Sequence, residues 1–288
     1  MSLIAIAALS IGLATSRDLT FRSADGSVLS ATLSAPAAAQ GRLPAVVLLH
    51  GSGPQDRNET IGPNKIFGDL ADALNAAGFV VLRYDKRAVG KSTSATPVSN
   101  VVRQNFLDDA RAAVEAAAAD PHVDASHLYV IGHSEGGELA MALALDGVPV
   151  RGLVLMSPLP MSYKRIIDLQ LAREHVPAEM AARFRLAENL PFIKSYDGVD
   201  PTAEIAALRV PAFVMHGGKD IQVTGADIAP FLAAARDRPN VTEREFPDDD
   251  HLFFALPAGV ASTGAEYVEP HGVDPSALAA IVAWLRAH

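Results

Sequence analysis

The sequence predicts an α/β protein built on a doubly wound, mostly parallel sheet. Two observations indicate this fold class: solid apolar runs recur along the chain, and segments with helical apolar spacing separate them. Continuous apolar runs are typical of strands that are buried on both faces, as in a parallel sheet. Strands that alternate with helices pack into a sheet with helices on both sides.

An antiparallel hairpin precedes the parallel strands. Between Ser16 and Pro36 apolar residues alternate with polar ones, and Ala24–Ser27 has the composition of a turn. The more polar segment Val241–Phe246 is expected to be an edge strand. The buried strands are predicted at Ala45–Leu49, Phe79–Leu82, Leu128–Ile131, Leu153–Met156 and Ala212–Met215.

Helices are predicted where apolar residues recur every three or four positions. Ile66–Ala77 has such a face, and Gly78 is placed to end the helix. A second face runs over Val102–Val114, with Ser99 or Asn100 as the expected N-cap. Two further helices are predicted, one directly after Ser134 and one that starts at Pro275 behind its cap Asp274.

The alternation of strands and helices is interrupted once. Residues 158–208 hold two or three helical segments and no convincing strand. We therefore expect a helical cap, inserted into a single domain of residues 17–288, that lies over the sheet.

Residues 1–16 allow two interpretations. The apolar segment Leu3–Ala14 is too short to span a bilayer, which needs about 20 apolar residues, so no stable membrane insertion is expected. It resembles the apolar part of a signal peptide, with Ala14–Ser16 as a cleavage site, but no Lys or Arg precedes it. An N-terminal strand is the alternative. Both a cytoplasmic and a periplasmic or secreted location therefore stay open.

Composition argues against several classes of protein. The 24 Lys and Arg against 33 Asp and Glu give a net charge of −9 without a long basic run, which disfavours a nucleic-acid partner. The chain has no cysteine, so disulfides and thiolate nucleophiles are excluded. No spacing of histidines and carboxylates suggests a metal, and no dinucleotide-binding glycine pattern follows a strand. We expect no cofactor, and the oligomeric state stays open.

The segment Gly132–Gly137 carries the strongest chemical signal. It reads Gly-His-Ser-Glu-Gly-Gly, directly after one predicted strand and before a predicted helix. Gly-x-Ser-x-Gly in that context is typical of a nucleophile elbow. Ser134 would then project from the carboxyl end of the strand, above the positive end of the helix. A plain turn is the alternative, but the flanking elements and the third glycine favour a nucleophile.

A nucleophilic serine needs a base, and the base needs an acid. His251 follows the last predicted strand and Asp220 follows the strand before it, in the chain order serine, acid, histidine. His251 would take the proton of Ser134, and Asp220 would hold the imidazole in the required tautomer. Asp220 could instead be an ordinary turn aspartate. Asp248–Asp250 are interpreted as a solvated loop, because adjacent side chains point apart and like charges repel.

Two backbone N–H groups are the candidates for an oxyanion site. That of Glu135 follows the nucleophile, where elbow geometry places a donor. That of Ser52 lies in the loop His50–Pro54 after the first parallel strand, whose two glycines allow close approach to a substrate.

These motifs resemble those of serine α/β-hydrolases of the esterase–lipase type, in particular a bacterial carboxylesterase-like branch. The resemblance spans about residues 17–288, and Ala88 departs from it, since relatives usually have glycine there. It implies the α/β-hydrolase fold and hydrolysis of a small-molecule ester through an acyl-enzyme, with the cap lining the acyl pocket. Met161, Ile167 and Phe253 are the expected substrate-binding residues. The motifs that carry the resemblance are His50–Pro54, Asp85–Ser92, Gly132–Gly137, His216–Asp220 and Ser262–Tyr267.

Other functions stay open at this point. The same three residues serve acyl transfer in general, so thioesters, lactones, amides and small peptides are alternative substrates. A non-catalytic binding protein on the same scaffold is a more remote alternative, because such proteins usually lack one of the three catalytic residues.

Overall fold

The computed structural model describes residues 14–37, 40–172, 190–236 and 238–288. Its strands form one large sheet and one short ribbon, the pair β4–β5. The strands are β1 Thr15–Arg22, β2 Val28–Ala35, β3 Leu43–Leu49, β4 Thr60–Ile61, β5 Asn64–Lys65, β6 Val80–Tyr84, β7 Val123–His133, β8 Gly152–Met156, β9 Ala212–Gly217 and β10 Val241–Phe246.

The large sheet has eight strands in the order β1-β2-β6-β3-β7-β8-β9-β10. The predicted hairpin β1–β2 lies at one edge, where β2 pairs antiparallel with β6. From β6 to β10 every pairing is parallel. The more polar strand β10 occupies the opposite edge, as its composition predicted.

Helices cover both faces of the sheet, which confirms the α/β class. The longer described helices are α1 Ile66–Ala76, α2 Arg103–Ala118, α3 Glu135–Leu145, α7 Gly225–Ala235 and α8 Pro275–Ala287. Strand β3 shows why its apolar run is continuous: Val47 and Leu49 pack into the core on one face, and Val46 and Leu48 pack into the core on the other. Because neither face meets water, the strand does not need polar residues at alternate positions.

The two predicted N-caps have different outcomes. Asp274 caps α8 as expected, since its carboxylate accepts the Ser276 N–H at 3.0 Å. The cap predicted for α2 is wrong, because Ser99 and Asn100 lie in a short 3₁₀ turn and the helix starts after Val102. The Val102 N–H donates to the Asn105 side chain at 2.9 Å, so a side chain of the helix itself caps its N-terminus.

Three described helices lie between β8 and β9, in the segment where the sequence predicts an insertion. They are α4 Tyr163–Ala172, α5 Pro191–Lys194 and α6 Pro201–Ala207. Residues 173–189 of that segment lie outside the described residues, as do residues 1–13 of the candidate signal segment. Among the described helices, none is both long and apolar enough to cross a membrane.

Candidate active site

Ser134 occupies a strained turn between β7 and α3. Its φ of 52° and ψ of −116° lie outside the backbone conformations that residues with a side chain favour. A Cβ on Gly136 would lie 2.1 Å from the Leu49 carbonyl oxygen, so a glycine is required where this turn passes β3. The Ser134 N–H donates to the Met156 carbonyl at 2.9 Å, which ties the turn to β8. Strain held in this way is a feature of functional sites.

His251 and Asp220 form a buried pair beyond the carboxyl ends of β9 and β10. The Nδ1 atom of His251 lies 2.7 Å from Oδ2 of Asp220. The other oxygen, Oδ1, accepts the N–H groups of Gln222 and Val223, each at 2.8 Å. A carboxylate held by three donors orients the ring, so that Nδ1 carries the proton and Nε2 is left as the basic atom.

The aspartates next to His251 are not the solvated loop that the sequence suggested. Asp248 is exposed and pairs with Lys219 at 2.9 Å, but Asp249 and Asp250 are only 2% and 0% exposed. Burial, with nearby Asp274, raises the pKa of Asp249 to about 7, and burial raises the pKa of Asp250 to about 6. Oδ1 of Asp250 accepts the N–H groups of Leu252 and Phe254 and thereby shapes the His251 turn.

One cavity of about 90 Å³ brings the predicted chemical groups together. Ser134 and His251 line it, and so do Ser52 and Glu135, the two residues expected to form the oxyanion site. Asp220 lies behind His251, to which it is hydrogen-bonded. The remaining described lining comes from the cap and the loop after β9, namely Leu159, Tyr163, Ile166, Ile167, Gln170, Gln222 and Val223.

The side chain of Glu135 is engaged in structural contacts. Its carboxylate lies 3.1 Å from Nζ of Lys86 and also accepts the hydroxyl of Tyr196. The Lys86 ammonium in turn donates to the Gly51 carbonyl at 2.6 Å. Because the N–H groups of a first helical turn have no intrahelical acceptor, the Glu135 N–H remains available to a ligand.

Two further buried residues contact this site, and sequence reasoning assigned them no role in it. Glu59 accepts the Gly51 N–H at 2.6 Å and lies 3.1 Å from Nδ1 of His133, whose Nε2 lies 3.0 Å from the His251 carbonyl. Glu59 and His133 are 74 positions apart in the chain. No local spacing links such a pair, and only the three-dimensional structure shows that the Glu59 loop reaches the end of β7.

The three predicted substrate-binding residues lie in three different environments. Ile167 lines the cavity with Ser134. Met161 is half-buried against the core, and it is not among the described lining residues. Phe253 is fully buried on the other face of the sheet, where its ring packs 5.9 Å from that of Phe246. A φ of 59° at Phe253 turns its side chain into the core directly after His251, so Phe253 is a core residue.

Comparison with known proteins extends these observations. The family model described as serine aminopeptidase, S33, matches residues 40–197. Esterase EstD of Thermotoga maritima is 33% identical over 266 residues, which cover 85% of this chain and 62% of that relative. The chain therefore spans less than two thirds of EstD.

Two solved structures share the fold at low sequence identity. The Pyrococcus furiosus esterase Pf2001 superposes with a TM-score of 0.67 at 18% identity, covering 95% of this chain and 91% of that one. Est1E from Butyrivibrio proteoclasticus superposes with a TM-score of 0.65 at 17% identity, over 94% and 98% of the two chains.

Proposed function

The chain belongs to the S33 serine aminopeptidase family of α/β-hydrolases, and on that premise we propose that it hydrolyses small-molecule carboxylic esters through an acyl-enzyme. One observation carries the proposal: Ser134, on a strained turn, and His251, hydrogen-bonded to Asp220, face the same cavity. The esterases among the relatives and the structural neighbours support the choice of an ester.

The proposed chemistry uses the three side chains in turn. Ser134 Oγ attacks the ester carbonyl carbon while Nε2 of His251 takes its proton. The same proton passes to the leaving alcohol as the tetrahedral intermediate collapses to the acyl-enzyme. Water then attacks the acyl carbon while His251 takes its proton. The bond from that carbon to Ser134 Oγ breaks, His251 returns the proton to Oγ, and the acid is released. Asp220 stabilises the charged imidazole in both halves of the reaction.

The developing oxyanion would be held by the N–H groups of Ser52 and Glu135. Both residues line the cavity with Ser134. Lys86 contacts the Gly51 carbonyl, next to Ser52, and the side-chain carboxylate of Glu135. Loss of one such donor typically costs about 10²–10³ in rate.

The cavity favours a short acyl group. Its volume of about 90 Å³ is well below the roughly 300–1,000 Å³ of pockets that bind drug-sized ligands. Leu159, Ile166, Ile167 and Val223 give it apolar walls. Acetyl to butyryl esters are therefore the preferred substrate class.

Cleavage of amides or peptides is the second candidate, because the family model describes aminopeptidases. An aminopeptidase needs an anionic group to bind the substrate ammonium. Among the described lining residues, Glu135 is the only carboxylate, and Lys86 already neutralises it. The charge distribution of the site therefore favours neutral esters.

A panel of p-nitrophenyl esters from acetate to palmitate, with a thioester and an aminoacyl anilide, tests the proposal. Turnover should be highest for acetate to butyrate and should fall by at least 10³ in Ser134→Ala. Ser126→Ala is the matched control, because Ser126 also lies beside a histidine and an aspartate, His127 and Asp124. That cluster is exposed, so its variant should keep full activity. Turnover by Ser134→Ala would refute the mechanism, and preference for the anilide would favour the second candidate.

A further inference from the structure

His133 lies buried between two acceptors, directly before the proposed nucleophile. Its Nδ1 atom lies 3.1 Å from Oε1 of Glu59, and its Nε2 atom lies 3.0 Å from the carbonyl oxygen of His251. The side chains of His133 and Glu59 are 3% and 1% exposed, so both contacts are buried.

This geometry limits the protonation states of the ring that satisfy both contacts while Glu59 is ionised. A neutral imidazole has one N–H donor and one basic nitrogen, whereas an imidazolium has two donors. A carboxylate oxygen and a carbonyl oxygen only accept, so both nitrogens of His133 must carry protons for both contacts to be hydrogen bonds. The Glu59 carboxylate is the counterion that such a buried cation requires.

We propose that His133 is an imidazolium at neutral pH and that, with Glu59, it forms a positioning pair joining the oxyanion loop to the turn of His251. This inference rests on the proposed function, since it assigns the pair a purpose in that reaction. Neither residue is among the described residues that line the cavity, so both act through their neighbours.

The two ends of the pair hold backbone next to the reacting groups. Oε1 of Glu59 accepts the Gly51 N–H at 2.6 Å, which fixes the residue before Ser52. Nε2 of His133 fixes the main chain of His251 itself. One charged pair therefore sets the distance between an oxyanion donor and the base. A displacement of about 1 Å in such an arrangement can cost 10²-fold in rate.

The charged and titratable surroundings are consistent with this state. Burial alone would lower the pKa of His133, but Glu59, the His251 carbonyl and Asp220 raise it above 6.5 on balance. Burial alone would raise the pKa of Glu59, but His133, His50 and the Gly51 N–H lower it. The remaining groups near the pair are Lys86, 2.6 Å from the Gly51 carbonyl, and the His251 ring, whose centroid lies 4.9 Å from that of His133.

The protonation state is tested by nitrogen NMR of the full chain with ¹⁵N-labelled histidine. At pH 7.5, one of the nine histidines should show two protonated ring nitrogens, and its signal should disappear in His133→Gln. A wild-type spectrum without a doubly protonated histidine would overturn the proposal without the need for any variant.

The positioning role is tested by Glu59→Gln, which keeps an oxygen for Gly51 and His133 but removes the charge. We expect kcat for p-nitrophenyl acetate to fall about 10- to 100-fold, with KM within about threefold, and the second ring proton of His133 to be lost at pH 7.5. The exposed Glu115→Gln on α2 is the matched control and should change neither readout.

The outcomes separate this inference from the proposed function. If folded Glu59→Gln kept the wild-type kcat and Ser134→Ala abolished turnover, the positioning role would be overturned and the proposed function would stand. If Ser134→Ala retained turnover, the proposed function would fail whatever the spectrum of His133 showed. If Glu59→Gln did not fold, the wild-type spectrum would still decide the charge state on which the role depends.

Discussion

The ammonium group of Lys86 lies 3.1 Å from the Glu135 carboxylate and 2.6 Å from the Gly51 carbonyl oxygen. One buried cation thus joins the residue before Ser52 to the residue after Ser134. These residues adjoin or belong to the two segments proposed to bind the oxyanion, and Lys86 itself is not among the described residues that line the cavity.

Replacing Lys86 with Met should both destabilise the fold and slow the reaction. Among the described side chains, the change leaves only the Tyr196 hydroxyl as a partner of the buried Glu135 carboxylate. A buried charge that loses its counterion typically costs about 3–5 kcal/mol. Urea unfolding should show a loss of about 3 kcal/mol or more. Lys91→Met is the control, because the Lys91 side chain is 78% exposed. Equal stabilities of the two variants would contradict a structural role for the buried pair.

Acid should destabilise the protein partly through His50. Burial lowers the pKa of this imidazole from 6.5 to about 4, so the folded state holds it neutral. The resulting stability is present above pH 6.5 and is lost as the pH falls towards 4, by about 3 kcal/mol at 1.36 kcal/mol per pH unit.

His50→Phe should remove this component of the acid sensitivity. The ring already packs on aromatic neighbours, Phe67 at 5.0 Å and Tyr84 at 5.1 Å between centroids. The free energy of unfolding should therefore fall less between pH 7 and pH 4 in His50→Phe than in the wild type or in the exposed control His122→Phe. Parallel pH profiles for all three proteins would show that His50 is not the sensitive group.

Asp249→Asn should stabilise the protein at alkaline pH. Burial and nearby Asp274 raise the pKa of Asp249 from 3.8 to about 7, so its contribution to stability is fully present below about pH 4 and is lost as the pH rises from 4 through 7. An amide avoids that loss, so we expect about 2–4 kcal/mol of added stability at pH 8.5 and little change below pH 4. Asp248→Asn, which alters an exposed neighbour, should not show this pH dependence. A destabilised Asp249→Asn at pH 8.5 would contradict the prediction.

Ala88→Gly should stabilise the turn that contains residue 88. Ala88 has a φ of 60°, a conformation that costs a residue with a Cβ about 1–2 kcal/mol. The greater freedom of glycine in the unfolded chain offsets part of that gain. Thermal unfolding should show a net gain of about 0.5–1 kcal/mol. The same substitution inside α2, Ala116→Gly, should instead destabilise, and a loss at both positions would exclude strain at Ala88.

The parts of the structure that the sequence predicts are those determined by local pattern and burial. Ala45–Leu49 could be assigned to a strand because a strand buried on both faces needs an unbroken apolar run. The elbow at Ser134 could be assigned because its glycines and its flanking elements are adjacent in the chain. Asp220 and His251 followed from chain order, although no local spacing joins them.

The parts that the sequence does not predict depend on long-range packing. The burial of Asp249 and Asp250 arises from the way their loop folds against the start of α8, so their charge alone suggested an exposed loop. Phe253 was expected to bind the substrate, but it has a positive φ and its side chain lies in the core. The contact of Glu59 with His133 joins a loop to the end of strand β7, and no periodicity relates the two.

Covalent labelling tests the central claim, that Ser134 is the nucleophile, most directly. The folded protein is treated with a fluorophosphonate, and the modified residue is located by peptide mass spectrometry. We predict one adduct, on Ser134, that is absent in Ser134→Ala, strongly slowed in His251→Ala and unchanged in Ser126→Ala. An adduct on a different residue, or folded protein that hydrolyses esters while Ser134 stays unmodified, would contradict the claim.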